Sequence, residues 1–427
     1  MPRAARPAIG RFGRPLTALA DQAVMSGSNF LTLVLLARTL GPAEFGSFTV
    51  VYTAVLLAGV LQYALITQPH NVLGASLEGT RYRRYTGATG LGQLAFSAAS
   101  AALAILAAVV AASAGSPLAP LLLAAAPAAV ALQLQEFSRR VLYTEERVAT
   151  ALGVDVLGHA VRLAVVGTLA AVGRLDGTSA LVAIAATSGL AAALGMARIR
   201  PNFAASGLSA VRDNLDYGKW VAGEQLGYWV ATELYIYLTA IILGTGAVGT
   251  LRAALLLFNP LYLVLLGYYS LLLQTRLART YAREGPGALA AELRRTYAVA
   301  GAAVISYCVP VVAFAGPVLE SIYGASYAGA APLVLLSAAH ASLVVFVAIV
   351  SLGLRAMRRT RRLFVAYVVS SVPTVALGWA LVGAFGIAGA ISGMALSSVI
   401  VFAYCWWSYL GGRDPLERVR SRRPATE

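Results

Sequence analysis

The sequence has few charged residues, only two cysteines and only three histidines, and these shortages exclude several kinds of site. Charged residues make up 12% of the 427 residues, about half the fraction usual for a soluble domain. Cys308 and Cys405 both lie in apolar stretches, where they provide neither a disulfide framework nor the spacing of metal ligands. The histidines have no suitably spaced partners either. We therefore expect no metal, no cofactor and no disulfide framework.

The single lysine carries no nucleotide-binding motif. The tripeptide Gly218-Lys219-Trp220 lacks the Gly-x-x-x-x-Gly-Lys-Ser/Thr pattern of a phosphate-binding loop. The connections predicted for the outer side of the membrane are short. A membrane glycosyltransferase or polymerase that works there would need more mass outside the bilayer to hold catalytic groups. We therefore expect a carrier without catalytic residues and not an enzyme.

Long apolar runs are what the sequence has in abundance. Hydrophobic residues make up 59% of the chain, and their blocks are long enough to cross a hydrocarbon core of about 30 Å. We predict an all-α integral membrane protein of about twelve transmembrane helices. The predicted spans are residues 17–40, 44–68, 86–112, 118–138, 149–173, 177–197, 218–243, 250–275, 296–319, 330–354, 363–383 and 386–410.

The distribution of the basic residues indicates membrane topology and not a nucleic-acid-binding surface, despite a net charge of +15. All but four of the 33 lysine and arginine residues fall in the two tails or in every second connection between spans. That alternation is typical of cytoplasmic segments. We predict a multi-pass protein of the bacterial inner membrane, in contact with membrane lipids and no nucleic acid, with both termini cytoplasmic. The four exceptions are Arg38, Arg162, Arg174 and Arg252.

The basic and then apolar N terminus has an alternative interpretation as a cleavable signal peptide. Its apolar run is too long for such a peptide and contains Asp21, Gln22 and Asn29. The same segment also takes part in an internal repeat. We therefore expect it to be the first span of the protein.

The internal repeat divides the chain into two halves. Without a gap, Asp21-Gln22 aligns with Glu224-Gln225, and residues 40–46 (LGPAEFG) align with residues 243–249 (LGTGAVG). Because six predicted spans separate the copies, the two copies have the same orientation, as in the parallel repeats of transporters. We predict two pseudo-symmetric six-helix lobes around a central cavity, an arrangement suited to alternating access. A bundle that is duplicated only for stability is the alternative.

The basic, polar stretch between the sixth and seventh spans sets the predicted domain boundaries. We expect a cytoplasmic basic tail (residues 1–16), an N-terminal six-helix lobe (17–197) and a cytoplasmic linker (198–217). A C-terminal six-helix lobe (218–410) and a second cytoplasmic basic tail (411–427) follow.

Three stretches of the chain resemble a known transporter family. They are residues 21–46 (DQAVMSGSNFLTLVLLARTLGPAEFG), 249–267 (GTLRAALLLFNPLYLVLLG) and 316–336 (GPVLESIYGASYAGAAPLVLL). In them the chain is similar to the polysaccharide-transport, Wzx-like branch of the exporter superfamily that also contains the MATE drug exporters (the MOP superfamily). The resemblance implies a flippase that moves an undecaprenyl-pyrophosphate-linked oligosaccharide from the cytoplasmic to the outer leaflet for surface polysaccharide synthesis. It also implies other polysaccharide-assembly proteins as partners.

Ionisable residues deep in the fifth span are candidates for function, because a charge within the bilayer costs several kcal/mol unless it is paired or hydrated. Asp155, His159 and Arg162 have spacings of four and three, which place them on one helical face. Arg162 is a candidate contact for a pyrophosphate, since a guanidinium stays charged and offers forked donors. The alternative is a structural pair between Asp155 and Arg162, with His159 as a neighbour or as a proton-coupling switch.

Other polar residues in the spans complete the candidate site. Glu224 and Glu233 in the seventh span are candidates for ion coupling or for pairing with an arginine of another helix. Asp21, which aligns with Glu224, is a third coupling candidate, although we expect it to be shallow enough to face interfacial water. The remaining head-group candidates, besides Arg162, are Arg38, Arg252 and Asn29. For Arg38 and Arg252 the alternative is snorkelling to the lipid head groups.

Two other functions compete with lipid-linked saccharide transport. A cation-coupled multidrug exporter of the same superfamily would need an acidic cavity, and the deep arginines argue against it. A peptidoglycan-precursor flippase usually has two more helices. From a different class, a membrane enzyme of polysaccharide assembly is disfavoured by the short outer connections. A purely structural component of a biosynthetic complex is the remaining alternative.

Overall fold

The computed structural model describes residues 13–199, 201–203, 208–269 and 273–411, and this part of the chain contains helices and no strand. Two compact units are present. The described residues before Gly223, except Gly41–Gly46, form the first unit, and the second unit consists of Gly41–Gly46 and the described residues from Gly223 onward. The boundaries predicted for the tails, lobes and linker remain predictions. Arg14 of the N-terminal tail lies in a helix, whereas the other tail arginines and Arg200 lie outside the described residues.

The helices of the first half follow one another through short connections. They are α1 (Gly13–Gln62), a π-helical turn (Tyr63–Thr67), α2 (Gln68–Leu73), α3 (Gly79–Ser113), α4 (Ala119–Thr144), α5 (Val148–Ala171) and α6 (Gly177–Met196).

The second half continues in the same way. Its helices are α7 (Leu208–Thr232), α8 (Leu234–Leu243), α9 (Thr245–Leu256), α10 (Asn259–Tyr268), α11 (Gln274–Ala313), α12 (Ala315–Tyr323), α13 (Ala331–Ala356) and α14 (Thr360–Tyr409).

The lengths and composition of these helices confirm a multi-pass membrane protein. In the described residues nine helices are long and apolar enough to cross a bilayer, or ten if the bent pair Thr245–Leu256 and Asn259–Leu265 is one span. Helices α1 and α14 have 50 residues each, about 75 Å at 1.5 Å per residue. Each is broken at a glycine, Gly41 or Gly386, and has the length for two crossings. The number twelve stays a prediction.

Several predicted connections prove to be helical. Arg139 and Arg140 were predicted to lie in a loop, but α4 extends past them to Thr144. Arg276, Arg279, Arg283, Arg294 and Arg295 all lie in α11, which bends at Gly285. The seventh predicted span is interrupted between α7 and α8, and Glu233 stands at the interruption. The apolar pattern marks where a helix is surrounded by lipid, and a helix can continue beyond that region with polar residues.

The predicted repeat of the glycine turns is present in the backbone. Gly41 has φ 70° and ψ 174°, and its counterpart Gly244 has φ 85° and ψ 171°. These left-handed values are accessible to glycine at little cost. A second pair of matching turns, which the alignment did not reveal, follows α4 in the first half and α13 in the second half. Glu146 and Arg358 both have φ 58°.

The arginine after each of those positive-φ residues makes the same bond. Arg147 donates through Nη1 to the carbonyl oxygen of Arg198 at 2.6 Å, and Arg359 donates through Nη1 to the carbonyl oxygen of Ser408 at 2.9 Å. In each half a guanidinium thus caps the end of the half's last helix, because carbonyls at helix ends have no intrahelical partner.

Two glycines of the turns lie against backbone with no room for a side chain. A Cβ added to Gly46 would overlap the carbonyl oxygen of Thr245, and a Cβ added to Gly249 would overlap the carbonyl oxygen of Pro42. Gly46 aligns with Gly249, and Pro42 aligns with Thr245. The contact is therefore reciprocal between aligned residues of the two turns, all of which lie in the second unit.

Gly46→Ala and Gly249→Ala should each destabilise the protein by about 1–3 kcal/mol, because the methyl group forces backbone apart in a closely packed contact. The measurement is the melting temperature of the purified protein in detergent. The matched control is Gly246→Ala in the same turn, since its Cβ would meet only an ordinary contact at 4.0 Å. Equal melting temperatures for the three variants would show that the close approach does not stabilise the fold.

Candidate functional site

A polar cavity of about 360 Å³ lies within the first unit. It is bordered by α1, the π-helical turn, α4 and α5, all of which have membrane-spanning length except the turn. Its lining includes both charged and amide side chains, among them Gln22, Asn29, Gln62, Gln133, Gln135, Glu136, Arg139, Arg140, His159 and Arg162. The volume is in the usual range of ligand pockets.

Arg162 is a buried cation whose hydrogen-bond partners are all neutral. It stands about 21 Å along α5 from Val148 and is 2% exposed. Its Nη1 donates to Asn29 Oδ1 at 3.0 Å, and its Nη2 donates to Ser188 Oγ at 2.6 Å. A weaker contact joins Nε to Thr187 Oγ1 at 3.4 Å. Two residues predicted as head-group contacts, Arg162 and Asn29, are therefore bonded to each other.

The alternative pairing of Asp155 with Arg162 is wrong. Asp155 accepts from Gln135 Nε2 at 3.1 Å and forms an ion pair with Arg139, Nε to Oδ2, at 3.9 Å. In the described chain Arg162 forms no ion pair with any carboxylate. Helical spacing placed the two side chains on one face, but it could not show that an arginine of α4 reaches Asp155 first.

Arg139 holds three carboxylates together. Its Nη2 lies 2.6 Å from Glu136 Oε2, and its Nη1 lies 3.4 Å from Asp21 Oδ2. Tyr143 also donates to Asp21 Oδ2, at 2.6 Å. The expectation that Asp21 faces interfacial water is wrong, because Asp21 is completely buried. Asp21, Asp155, Glu136, Arg139 and Arg140 form what we call the ionic cluster.

The ionic cluster leaves acceptor positions unused. Oδ1 of Asp21 and Oδ2 of Asp155 are buried without a hydrogen bond from the described residues. Arg140 pairs with the other oxygen of Glu136, Nε to Oε1, at 2.6 Å. A buried carboxylate oxygen without a donor is costly, so these two oxygens are the unsatisfied acceptors of the ionic cluster.

His159 lines the same cavity with both ring nitrogens unbonded. It is 3% exposed, and neither Nδ1 nor Nε2 has a hydrogen-bond partner among the described residues. Its predicted place on the face of Arg162 is confirmed by their shared lining of the cavity. Whether it acts as a proton switch stays a prediction.

Amide side chains form a continuous hydrogen-bonded chain beside the cavity. Gln62 Nε2 donates to Gln93 Oε1 at 2.8 Å, and Gln93 Nε2 donates to Ser97 Oγ at 2.9 Å. Ser97 then donates to Gln133 Oε1 at 2.8 Å, and Gln133 Nε2 donates to Ser100 Oγ at 3.1 Å. The chain ties the end of α1 to α3 and α4, so it fixes the wall of the cavity.

The remaining predicted site residues do not join this cavity. In the second unit Glu224 lies 3.3 Å from Arg355, and Glu233 lies 3.9 Å from Arg252. Each acid is thus paired with an arginine of another helix, which is one of the two roles predicted for it. Arg38 is exposed, as the snorkelling interpretation requires.

The residues that the sequence did not reveal are Glu136, Arg139 and Arg140. The apolar pattern ended the fourth span at residue 138 and assigned both arginines to a loop. The available signal was Glu136 itself, because an acid three and four residues before two arginines pairs with them on one helical face.

Comparisons with known proteins identify the fold. The chain matches no protein-family model, and no curated protein matches its sequence. A structure of the lipid II flippase MurJ in an inward closed conformation has a TM-score of 0.72 at 14% identity, covering 93% of this chain and 88% of that one. An inward-facing multidrug resistance MATE family transporter of the MOP superfamily has a TM-score of 0.68 at 15% identity, covering 97% of each chain.

A third similar structure is a MOP superfamily transporter from Pyrococcus furiosus, described as having a binding pocket of reverse polarity. Its TM-score is 0.60 at 14% identity, with 93% of this chain and 94% of that chain covered. These neighbours are transporters, not enzymes. The all-helical chain therefore has the fold of the MOP superfamily transporters.

Arg139→Met should lower the stability of the protein by about 3–5 kcal/mol, because it leaves buried carboxylates without their shared cation. The melting temperature in detergent measures this loss. The control is Arg174→Met, since Arg174 is exposed and its side chain makes no ion pair in the described residues. An ionic cluster that contributes nothing to the fold would give the same melting temperature for both variants.

Proposed function

We propose that this protein is a flippase that moves an undecaprenyl-pyrophosphate-linked oligosaccharide from the cytoplasmic to the outer leaflet of the bacterial inner membrane. It does so by alternating access, with both termini in the cytoplasm, and it serves surface polysaccharide synthesis together with other assembly proteins. The observation that carries this proposal is Arg162, a buried guanidinium with only neutral partners on the wall of a polar cavity.

The charges of the cavity suit an anionic head group. Glu136 is paired with Arg139 and Arg140, whereas the charge of Arg162 has no such counterpart. A pyrophosphate oxygen that approached Arg162 would gain charge-assisted hydrogen bonds from a forked donor. The Gln and Asn side chains around it offer donors and acceptors that match sugar hydroxyls.

The family resemblance supplies the saccharide and the prenyl carrier. The neighbour described as a lipid II flippase gives independent support for a lipid-linked cargo. The inside-negative membrane potential would assist export, because moving each negative charge outward gains about 2.3 kcal/mol per 100 mV. For a pyrophosphate with two charges this amounts to about 5 kcal/mol per 100 mV.

A second candidate function is a cation-coupled multidrug exporter. Two observations favour it, namely the MATE family neighbours and the carboxylates of the ionic cluster, of which Glu136 lines the cavity and Asp21 and Asp155 are buried beside Arg139. A cationic drug would bind to carboxylates that have no other partner. Here all three share Arg139, so we assign the acids to coupling and not to cargo binding.

Arg162→Gln should slow transfer of a fluorescent prenyl-pyrophosphate glycan between the leaflets of reconstituted vesicles by about tenfold or more, because it removes a charged hydrogen bond worth about 1.5–3 kcal/mol. Arg174→Gln is the control and should transfer the lipid at the wild-type rate. If the wild type transferred no glycan lipid but exported ethidium, the drug-exporter function would replace the proposed flippase function. Normal transfer by Arg162→Gln would contradict the role of Arg162 in head-group binding but not the flippase function.

Asp21→Asn and Asp155→Asn test the coupling role. The amides cannot exchange a proton or bind a cation as the carboxylates do, so we expect transfer that no longer responds to an imposed proton or sodium gradient. Head-group binding by Arg162 should persist in both variants. The measurement is the rate of glycan transfer with and without the gradient. A gradient response equal to that of the wild type would exclude these two carboxylates from coupling.

A further inference from the structure

A second pocket of the first unit lies at helix ends, away from the polar cavity. Its volume is about 510 Å³, and it is lined by Gly79, Tyr82, Arg83, Glu145, Arg147 and Arg198. These residues come from the start of α3, the end of α4, and the connections before α5 and after α6. None of them lines the polar cavity. The pocket is therefore a separate place on the molecule.

The pocket carries excess positive charge. Three guanidinium groups face one carboxylate, and that carboxylate, Glu145, is paired with Arg147 at 3.1 Å. Arg147 is held further by the carbonyl oxygen of Arg198 at 2.6 Å. Arg83 and Arg198 are exposed, and their side chains form no ion pair or hydrogen bond with the described residues. Two cations thus remain for an anion.

The helix that begins at the pocket adds to this charge. Gly79 is the first residue of α3, and no side chain caps this N terminus. The first amide N–H groups of a helix have no intrahelical partner and bear partial positive charge, which attracts anions. Tyr82, in the same turn, has a buried hydroxyl group that has no hydrogen-bond partner among the described residues. Guanidinium groups, amides and a hydroxyl group are all donors to phosphate oxygens.

We propose that this pocket binds the phosphate group of an anionic phospholipid. A free phosphate ion has the same chemistry, but the pocket lies at the ends of four helices of membrane-spanning length, α3, α4, α5 and α6, where lipid head groups are concentrated. Basic pockets between the ends of transmembrane helices are known to hold acidic lipid head groups. The site is independent of the proposed function, because it shares no residue with the polar cavity.

The test counts phospholipids bound to the full-length protein by native mass spectrometry, with phosphatidylglycerol and phosphatidylcholine offered separately. Wild-type protein should retain phosphatidylglycerol in preference to phosphatidylcholine. Arg83→Ala combined with Arg198→Ala should weaken phosphatidylglycerol binding by about 25-fold, about fivefold for each arginine near the membrane surface. Glu145→Gln should strengthen binding, because it removes the one carboxylate that repels the phosphate.

The equivalent connection of the second half provides the control. Arg358 and Arg361 are exposed and near the positive-φ turn that matches the one at Glu146, so their double alanine variant should bind phosphatidylglycerol like the wild type. An equal loss in both double variants, or no loss in either, would overturn the site. If inorganic phosphate bound to the protein in phosphatidylcholine nanodiscs as tightly as phosphatidylglycerol does, the assignment of the pocket to a lipid head group would be overturned.

Discussion

A positive charge buried at membrane depth is the constraint around which the first unit is organised. The guanidinium of Arg162 is 2% exposed, and such a group is tolerated in the bilayer only where polar groups surround it. Asn29 of α1 and Ser188 of α6 supply acceptors directly, so the residue joins three helices, while no carboxylate of the described residues forms an ion pair with it. The neutrality of those partners is what suits the site to an anionic ligand that arrives and leaves.

The other charges at the cavity are tied to one another in the ionic cluster, in which two arginines contact three carboxylates, and none of these carboxylates forms an ion pair with Arg162 in the described residues. Arg139 contacts Asp21, Glu136 and Asp155, so one cation is shared by carboxylates from α1, α4 and α5. Breaking such a buried set is costly, which suggests a fixed element of the unit. Oδ1 of Asp21 and Oδ2 of Asp155 are the exception, since they are buried without a hydrogen bond from the described residues. We therefore propose that cargo binding and ion coupling involve neighbouring but different side chains.

The sequence predicted the fold better than the site. Long apolar blocks identify membrane helices because the bilayer imposes one length on all of them, and the aligned glycines at 41 and 244 have the matching backbone conformations that their alignment predicted. The deep position of Arg162 was also predictable from its distance along the fifth span. Its partners were not, because Asn29 and Ser188 come from other helices, and spacing along one helix carries no information about contacts between helices. For the same reason Arg139 was assigned to a loop although it lies at the centre of the ionic cluster.

The central claim is that Arg162 binds the charge of a lipid-linked head group, and binding in detergent tests it without any assumption about transport. The measurement is the dissociation constant of a short prenyl pyrophosphate and of the matching uncharged prenyl alcohol, for the wild type and for Arg162→Lys and Arg162→Gln. The account predicts that the wild type binds the pyrophosphate and not the alcohol. It also predicts that Arg162→Gln weakens pyrophosphate binding by about tenfold or more, with Arg162→Lys intermediate because a lysine lacks the forked donors. Equal binding of the two prenyl compounds, or unchanged pyrophosphate binding by Arg162→Gln, would contradict it.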